Sequence, residues 1–239
     1  MKEQPLASDT VDCSIVIPIF NEKDNIPLLY RGLKRETEGI GNKFEIIFVD
    51  DGSWDNSIAI LQKETQGDYC VRMVSLQRHL GKSFALQSGF ELARGQYVMT
   101  LDGDCQYDPA DIRLFLEKIK DGRFDVLCGW RTHRCDPFSK IIFSKLANYL
   151  RRAVFAESIH DVGCSFRIYS RESLKGICLK REQHRFITAI LKKKGFSIGE
   201  VAVRHYPRLS GKSKYGIWNR LVKSIPDFLS LILSKKQHR

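Results

Sequence analysis

The sequence predicts an α/β fold in which a mainly parallel central sheet carries helices on both faces. Two observations predict it. Along the first half, short apolar runs rich in branched residues alternate with segments of helical periodicity, and a small or acidic loop follows each run. At 239 residues the chain also has the length of one such domain. Strands are expected at 13–19, 44–49, 71–76, 97–101 and 125–128. Helices are expected at 24–38, 55–66, 82–93 and 109–120, the last opened by Asp108 as N-cap and Pro109 in the first turn. After Pro137 the pattern changes to a basic amphipathic segment at 138–155, a strand at 164–169, a helix near 182–194 and a strand at 197–206. A polar loop at 207–216 and a final amphipathic segment follow. No internal repeat or long linker marks a second domain, so a tail at 1–11, one domain at 12–216 and a surface tail at 217–239 are expected.

With 43% hydrophobic and 28% charged residues the chain has the composition of a folded globular protein rather than a disordered one. Its net charge of +11 calls for an anionic partner: nucleic acid, an anionic membrane or a phosphorylated small molecule. No basic-aromatic recognition pattern accompanies that charge, so nucleic acid is not expected. Seven cysteines without a C-x-x-C pair, and an N-terminus without the apolar core of a signal peptide, fit reduced thiols in the cytoplasm. No stretch reaches the roughly 20 apolar residues of a spanning helix. Lys223 and Asp227 interrupt the C-terminal candidate, so membrane contact is expected to be peripheral.

In parallel α/β sheets the ligand lies beyond the carboxyl ends of the strands, and the chemically capable residues of this chain follow those ends. The fourth run ends in Asp102-Gly103-Asp104-Cys105-Gln106. Two carboxylates one residue apart can turn their oxygens toward one Mg²⁺ or Mn²⁺, which would neutralise a nucleotide diphosphate as a leaving group. An isolated D-x-D also describes a solvated acidic turn. The second run ends in Asp50-Asp51-Gly52-Ser53, where a carboxylate can accept the ring N–H of a base, or merely cap the next helix. The first ends in Pro18-Ile19-Phe20-Asn21-Glu22, with Phe20 placed to pack near a base or in the core, and Glu22 to accept ribose or base donors. Gly-Lys-Ser at 81–83 and 211–213 is not a P-loop, because the required first glycine would fall on Leu76 or Tyr206.

These three motifs, in this order, resemble the family-two glycosyltransferases of GT-A fold, over about residues 12–227. Arg78-His79-Leu80-Gly81-Lys82-Ser83 resembles that family's R-N-x-G-K segment beside the donor, with His79 where Asn is usual. Within the family the polyprenyl-phosphate sugar transferases, the group that includes dolichol-phosphate mannose synthase, are the most similar. Asp102, Asp104 and Gln106 resemble that group's metal-binding D-A-D-L-Q. Gly129-Trp130-Arg131 is similar to its G-x-R turn, and Asp161-Val162-Gly163-Cys164-Ser165-Phe166-Arg167 to its D-x-G-C-x-x-R entry. His184-Arg185-Phe186-Ile187 resembles its H-R-F-I helix, and the segment from Arg208 to Tyr215 its R-x-x-G-x-S-K loop. The resemblance implies donor binding by Pro18, Phe20, Glu22, Asp51, Gly81, Lys82 and Asp102, and Mg²⁺ or Mn²⁺ binding by Asp102, Asp104 and Gln106. It implies an acceptor phosphate held by Arg131, Arg167, Arg208, Lys212, Ser213 and Lys214, with Asp104, Arg131 and Arg167 catalytic.

The implied reaction is an inverting transfer from a UDP- or GDP-sugar to undecaprenyl or dolichyl phosphate. A phosphomonoester, with a second pKa of about 6, is already anionic at neutral pH and needs no general base. Apolar residues at helical spacing in 138–155 and 217–233, with cations around them, have the composition of interfacial helices on an anionic membrane; packing against the domain is the other reading. Relatives of this group often continue into spanning helices, so an integral-membrane partner is a further expectation. The alternatives are a family-two transferase with a sugar-hydroxyl acceptor, which should need a carboxylate base, and an inactive nucleotide-sugar-binding scaffold.

Overall fold

A computed structural model describes residues 11–132 and 159–208. The segments at 1–10, 138–155 and 209–239, with the tails and interfacial helices read in them, lie outside the described residues. A seven-stranded sheet runs β3-β2-β1-β4-β6-β5-β7. Its strands are β1 (Cys13–Ile19), β2 (Phe44–Asp50), β3 (Val71–Ser75), β4 (Tyr97–Thr100), β5 (Val126–Arg131), β6 (Arg167–Ser170) and β7 (Ile198–Val203). All neighbours pair parallel except β6, which lies antiparallel between β4 and β5.

The branched apolar runs become strands because both faces of the sheet are covered. Alternate residues enter opposite cores. Ile15, Ile17, Ile46 and Phe48 join one cluster with Ile112, Phe115 and Leu116 of α4 (Asp111–Lys120) and with Ile26, Leu29 and Leu33 of α1 (Ile26–Ile40). Val16, Ile47 and Val49 join the other, with Ala85 and Leu86 of α3 (Lys82–Leu92). Each fully buried Ile or Val contributes about 1.5–3 kcal/mol, and slipping either strand by one residue would send each side chain into the wrong core. β3, at the edge, is only partly buried.

Where sequence and structure differ, the differences follow from tertiary contacts. α1 starts at Ile26 and ends on Gly41, whose φ of 73° stops the helix in the left-handed region. α2 (Ser57–Glu64) is shorter than 55–66, because the Asp55 carboxylate accepts from the Ser57 amide and keeps Asp55 outside the helix. α4 begins at Asp111, not Pro109: Asp108 accepts from the Ala110 amide at 3.0 Å and closes a turn one step earlier. The expected helix near 182–194 divides into a 3₁₀ turn (Gln183–Phe186) and α6 (Ile187–Lys193). A short α5 (Arg171–Leu174) was not expected. Its N-cap is Ser170, whose side chain accepts from the Ser173 amide. Among the described residues six cysteines form no disulfide, and no helix is long and apolar enough to cross a membrane.

Candidate active site

The register brings the predicted residues to one edge. Ile19 pairs with Asp50 and Val16 with Thr100, so Phe20–Glu22, Asp51 and Asp102–Asp104 all emerge together. β5 and β7 run the same way and deliver Arg131 and the 204–208 segment; β6 runs back and delivers 161–166. Gly103 is required by close approach. A Cβ there would lie 2.9 Å from Ile19 Cγ2, so any other residue would force the Ile19 side chain to shift as the D-G-D turn folds back over β1.

Each carboxylate of that turn meets a cation. Lys82, at the start of α3, forms an ion pair with Asp102 Oδ1, and Ser165 Oγ donates to Asp102 Oδ2 at 2.6 Å. Arg208 Nη2 lies 2.6 Å from Asp104 Oδ2, while its Nη1 is 3.8 Å from Glu22 Oε1. Burial opposes ionisation of Asp102, yet Lys82, Ser165 and Arg208 outweigh it and hold the carboxyl below its ordinary value. Burial and the Asp102 charge push Asp104 up to about 6, against the pull of Arg208 and Lys82. The 204–208 segment is clasped over the turn: Tyr206 N donates to the Gln106 carbonyl, Gln106 Nε2 donates to the Tyr206 carbonyl, and Arg204 reaches Asp108 and Asp111.

On the β1–β2 side, Asp51 is buried and its carboxylate faces the 79–81 loop. It accepts from Leu80 N at 2.7 Å and Gly81 N at 2.9 Å, and lies 2.8 Å from His79 Nδ1. Gly81 caps α3 at a φ of 98°. Gly52, at a φ of 73°, would place a Cβ 2.5 Å from the Arg78 carbonyl carbon; its lack of a side chain admits the 78–79 backbone. Phe20 is half-buried and stacks on His79, with centroids 4.0 Å apart. Glu22 accepts from Asn25 Nδ2 at 2.6 Å.

Arg131 and Arg167 are turned inward. Arg131 makes a two-pronged pair with Asp161, at 2.6 and 2.9 Å, and both side chains are buried. Arg167, 4% exposed, donates to the carbonyls of Cys164 and Val162. The two guanidinium groups expected at the acceptor phosphate thus meet oxygens of the protein itself, and both hold the 161–165 loop that carries Ser165 to Asp102. Lys212, Ser213 and Lys214 lie outside the described residues. The motif at 161–167 does not by itself point to a role for Asp161 or Ser165, although an acid and a hydroxyl flanking Gly163 are a signal for a built loop. Ser83 was missed too: its Oγ accepts from His184 N at 3.0 Å and meets His184 Nδ1 at 2.9 Å.

The donor set at Asp102 and Asp104 suits a hard dication. Among the described residues no three His, Cys, Asp or Glu side chains converge as a cage. Mg²⁺-type sites commonly use only one or two carboxylates and take their other ligands from substrate phosphates. Two acids that each already engage a cation fit that pattern.

The family model for "Glycosyl transferase family 2" matches residues 14–178. This chain belongs to glycosyl transferase family 2. It is 37% identical over 227 residues to a dodecaprenyl-phosphate galacturonate synthase of Rhizobium johnstonii, covering 93% of this chain and 67% of that one. It is 36% identical over 203 residues to an undecaprenyl-phosphate 4-deoxy-4-formamido-L-arabinose transferase of Pseudomonas paraeruginosa, covering 84% and 60%. The chain thus spans about two thirds or less of the length of these relatives. Among solved structures, glucosyl-3-phosphoglycerate synthase of Mycobacterium tuberculosis with Mn²⁺, UDP and phosphoglyceric acid superposes with a TM-score of 0.71 at 18% identity, over 94% of this chain and 78% of that one. A mannosyltransferase of Pyrobaculum calidifontis with GDP-mannose and Mn²⁺ gives 0.67 at 16%, over 93% and 65%. The fold of this family-two glycosyltransferase is therefore the GT-A fold expected from its motifs.

Proposed function

We propose that the protein transfers a sugar from a UDP- or GDP-sugar to a polyprenyl phosphate, with inversion, at the cytoplasmic face of a membrane. The observation that carries this reading is the carboxylate pair Asp102/Asp104 at the sheet edge, bracketed by Lys82 and Arg208. A site that must bring two phosphorylated substrates together needs charges of both signs within one cleft. The acceptor class is supported by the activities of the two relatives at 36–37% identity.

Asp102 and Asp104 would hold Mg²⁺ or Mn²⁺, with Gln106 beside them, and the ion would supply charge neutralisation to the departing diphosphate. Lys82 and Arg208 stand where they can turn from a carboxylate to a phosphate oxygen, and the planar fork of Arg208 suits two oxygens at once. Phe20, Pro18, Glu22, Asp51 and Gly81 form the donor side. Arg131 and Arg167 act as positioning residues through the 161–165 loop, and Lys212, Ser213 and Lys214 complete the acceptor phosphate site. The phosphate attacks unaided, because its oxygen is already anionic at neutral pH. The segments at 138–155 and 217–239 provide the surface contact with anionic lipid, an integral-membrane partner being one means of retaining the product.

The test is a panel of labelled UDP- and GDP-sugars incubated with undecaprenyl or dolichyl phosphate and Mn²⁺ or Mg²⁺. Label should enter the organic phase for one donor and only with the metal present. Transfer to a sugar hydroxyl with none to lipid phosphate would overturn the acceptor assignment.

A further inference from the structure

Ser165 is held on every side. The guanidinium groups of Arg131 and Arg167 grip its loop through Asp161, Val162 and Cys164. Thr100 Oγ1, at the end of β4, donates to the Ser165 carbonyl at 2.7 Å, and the Ser165 amide donates to the Tyr107 hydroxyl at 3.4 Å. Tyr107 is itself buried, its ring set edge-on against Phe166 and His205 with centroids 5.7 and 5.6 Å away. Both main-chain groups of Ser165 are therefore engaged, by residues that stand on either side of the D-G-D turn in sequence. This holding delivers one hydroxyl: Ser165 Oγ donates to Asp102 Oδ2 at 2.6 Å. The other oxygen, Oδ1, meets the Lys82 ammonium. The two partners differ in kind, because a lysine on four flexible bonds can turn away while a hydroxyl on a clamped main chain stays. Position 165 is one of the unspecified places in the D-x-G-C-x-x-R pattern, so its contacts alone show what it does.

We propose that Ser165 is a positioning residue for the divalent cation: its hydroxyl holds Asp102 Oδ2 and so presents Oδ1 alone, once Lys82 turns away. A carboxylate at a strand end is otherwise free to rotate about its last bond and offer either oxygen or both. Fixing it beforehand leaves less freedom to lose on binding, which is how an outer-shell hydrogen bond raises metal affinity. Ser165 touches neither substrate in this role, and its effect reaches sugar transfer only through the cation. The inference rests on the metal reading of Asp102 and Asp104 above and adds the group that orients one of those ligands.

The experiment is a Mn²⁺ titration of the full chain, alone and with UDP or GDP, in which the free ion is read by its electron paramagnetic resonance signal against a nucleotide-only control. Nucleotide affinity is measured separately in a chelator. Ser165→Ala should lower Mn²⁺ affinity by about 10–100-fold and leave metal-free nucleotide affinity unchanged. Ser165→Thr, which keeps the hydroxyl, should recover most of the loss, and Ser165→Cys, with a weaker donor of similar size, should fall between. Three substitutions at one half-buried position keep the comparison decisive if one of them folds poorly, and thermal unfolding identifies that one. Wild-type Mn²⁺ affinity in Ser165→Ala, or a loss that Ser165→Thr does not reverse, overturns the role of the hydroxyl. So does a fall in metal-free nucleotide affinity with Mn²⁺ affinity unchanged, which would make Ser165 a donor contact. Failure of wild type to bind Mn²⁺ with either nucleotide overturns the metal reading itself.

Discussion

The two halves of the sheet edge hold their charges by different means. On the β1–β2 side, Asp51 is fixed by backbone amides of the 79–81 loop, and that loop is admitted by Gly52. On the β5–β6 side, Arg131 and Arg167 are fixed by a buried carboxylate and by carbonyl oxygens. Backbone amides are dipoles that need no counter-charge, so the Asp51 arrangement can be disturbed locally. A buried ion pair cannot: removing one member strands the other in a medium that solvates it poorly. Between the two halves stand Asp102 and Asp104, with Lys82 and Arg208 as partners within reach of solvent.

Four single substitutions and one second-site change test this contrast. Asp104→Ala, between the halves, should lower sugar transfer on the order of a thousandfold, since a fixed charge facing the reacting phosphates is lost. Thermal unfolding should change little, and retained transfer in a metal-free assay would break the assignment. Asp161→Ala should cost about 3–5 kcal/mol in urea unfolding by stranding Arg131, and adding Arg131→Met should restore part of that loss. If the single variant is as stable as wild type, the ion-pair side of the comparison fails. Gly52→Ala should cost about 1–3 kcal/mol through its left-handed φ and the collision with Arg78, with nucleotide binding falling further than stability. Equal loss of both would mean that the strain spreads through the fold. Arg204→Gln should cost at most about 1 kcal/mol, because that guanidinium is half exposed. A larger loss in unfolding would show that the 204–208 clasp also holds β7.

The central strands were legible because burial on both faces demands continuous branched apolar runs, and β1, β2 and β4 carry them. The strand at 164–169 was read too long. Its first residues form the loop that Arg131 and Arg167 hold, and no local pattern announces a loop bound by distant guanidinium groups. The break in the helix near 182–194 has a similar origin: His184 is drawn to Ser83, about a hundred residues away in sequence. By contrast, α5 could have been found, since Ser170 ahead of Glu172 and Ser173 is a local capping signal.

From sequence alone came the α/β class, the family and the acids at the strand ends, because periodicity and short motifs are local properties that survive without a fold. Which cations face the cleft, and which are turned inward, was decided by tertiary structure. An arginine's role depends on the oxygens that surround it. Arg131 and Arg167 meet the carboxylate and carbonyls of the loop ahead of the antiparallel β6, whereas the exit from β7 carries Arg208 to the carboxylates of Asp104 and Glu22.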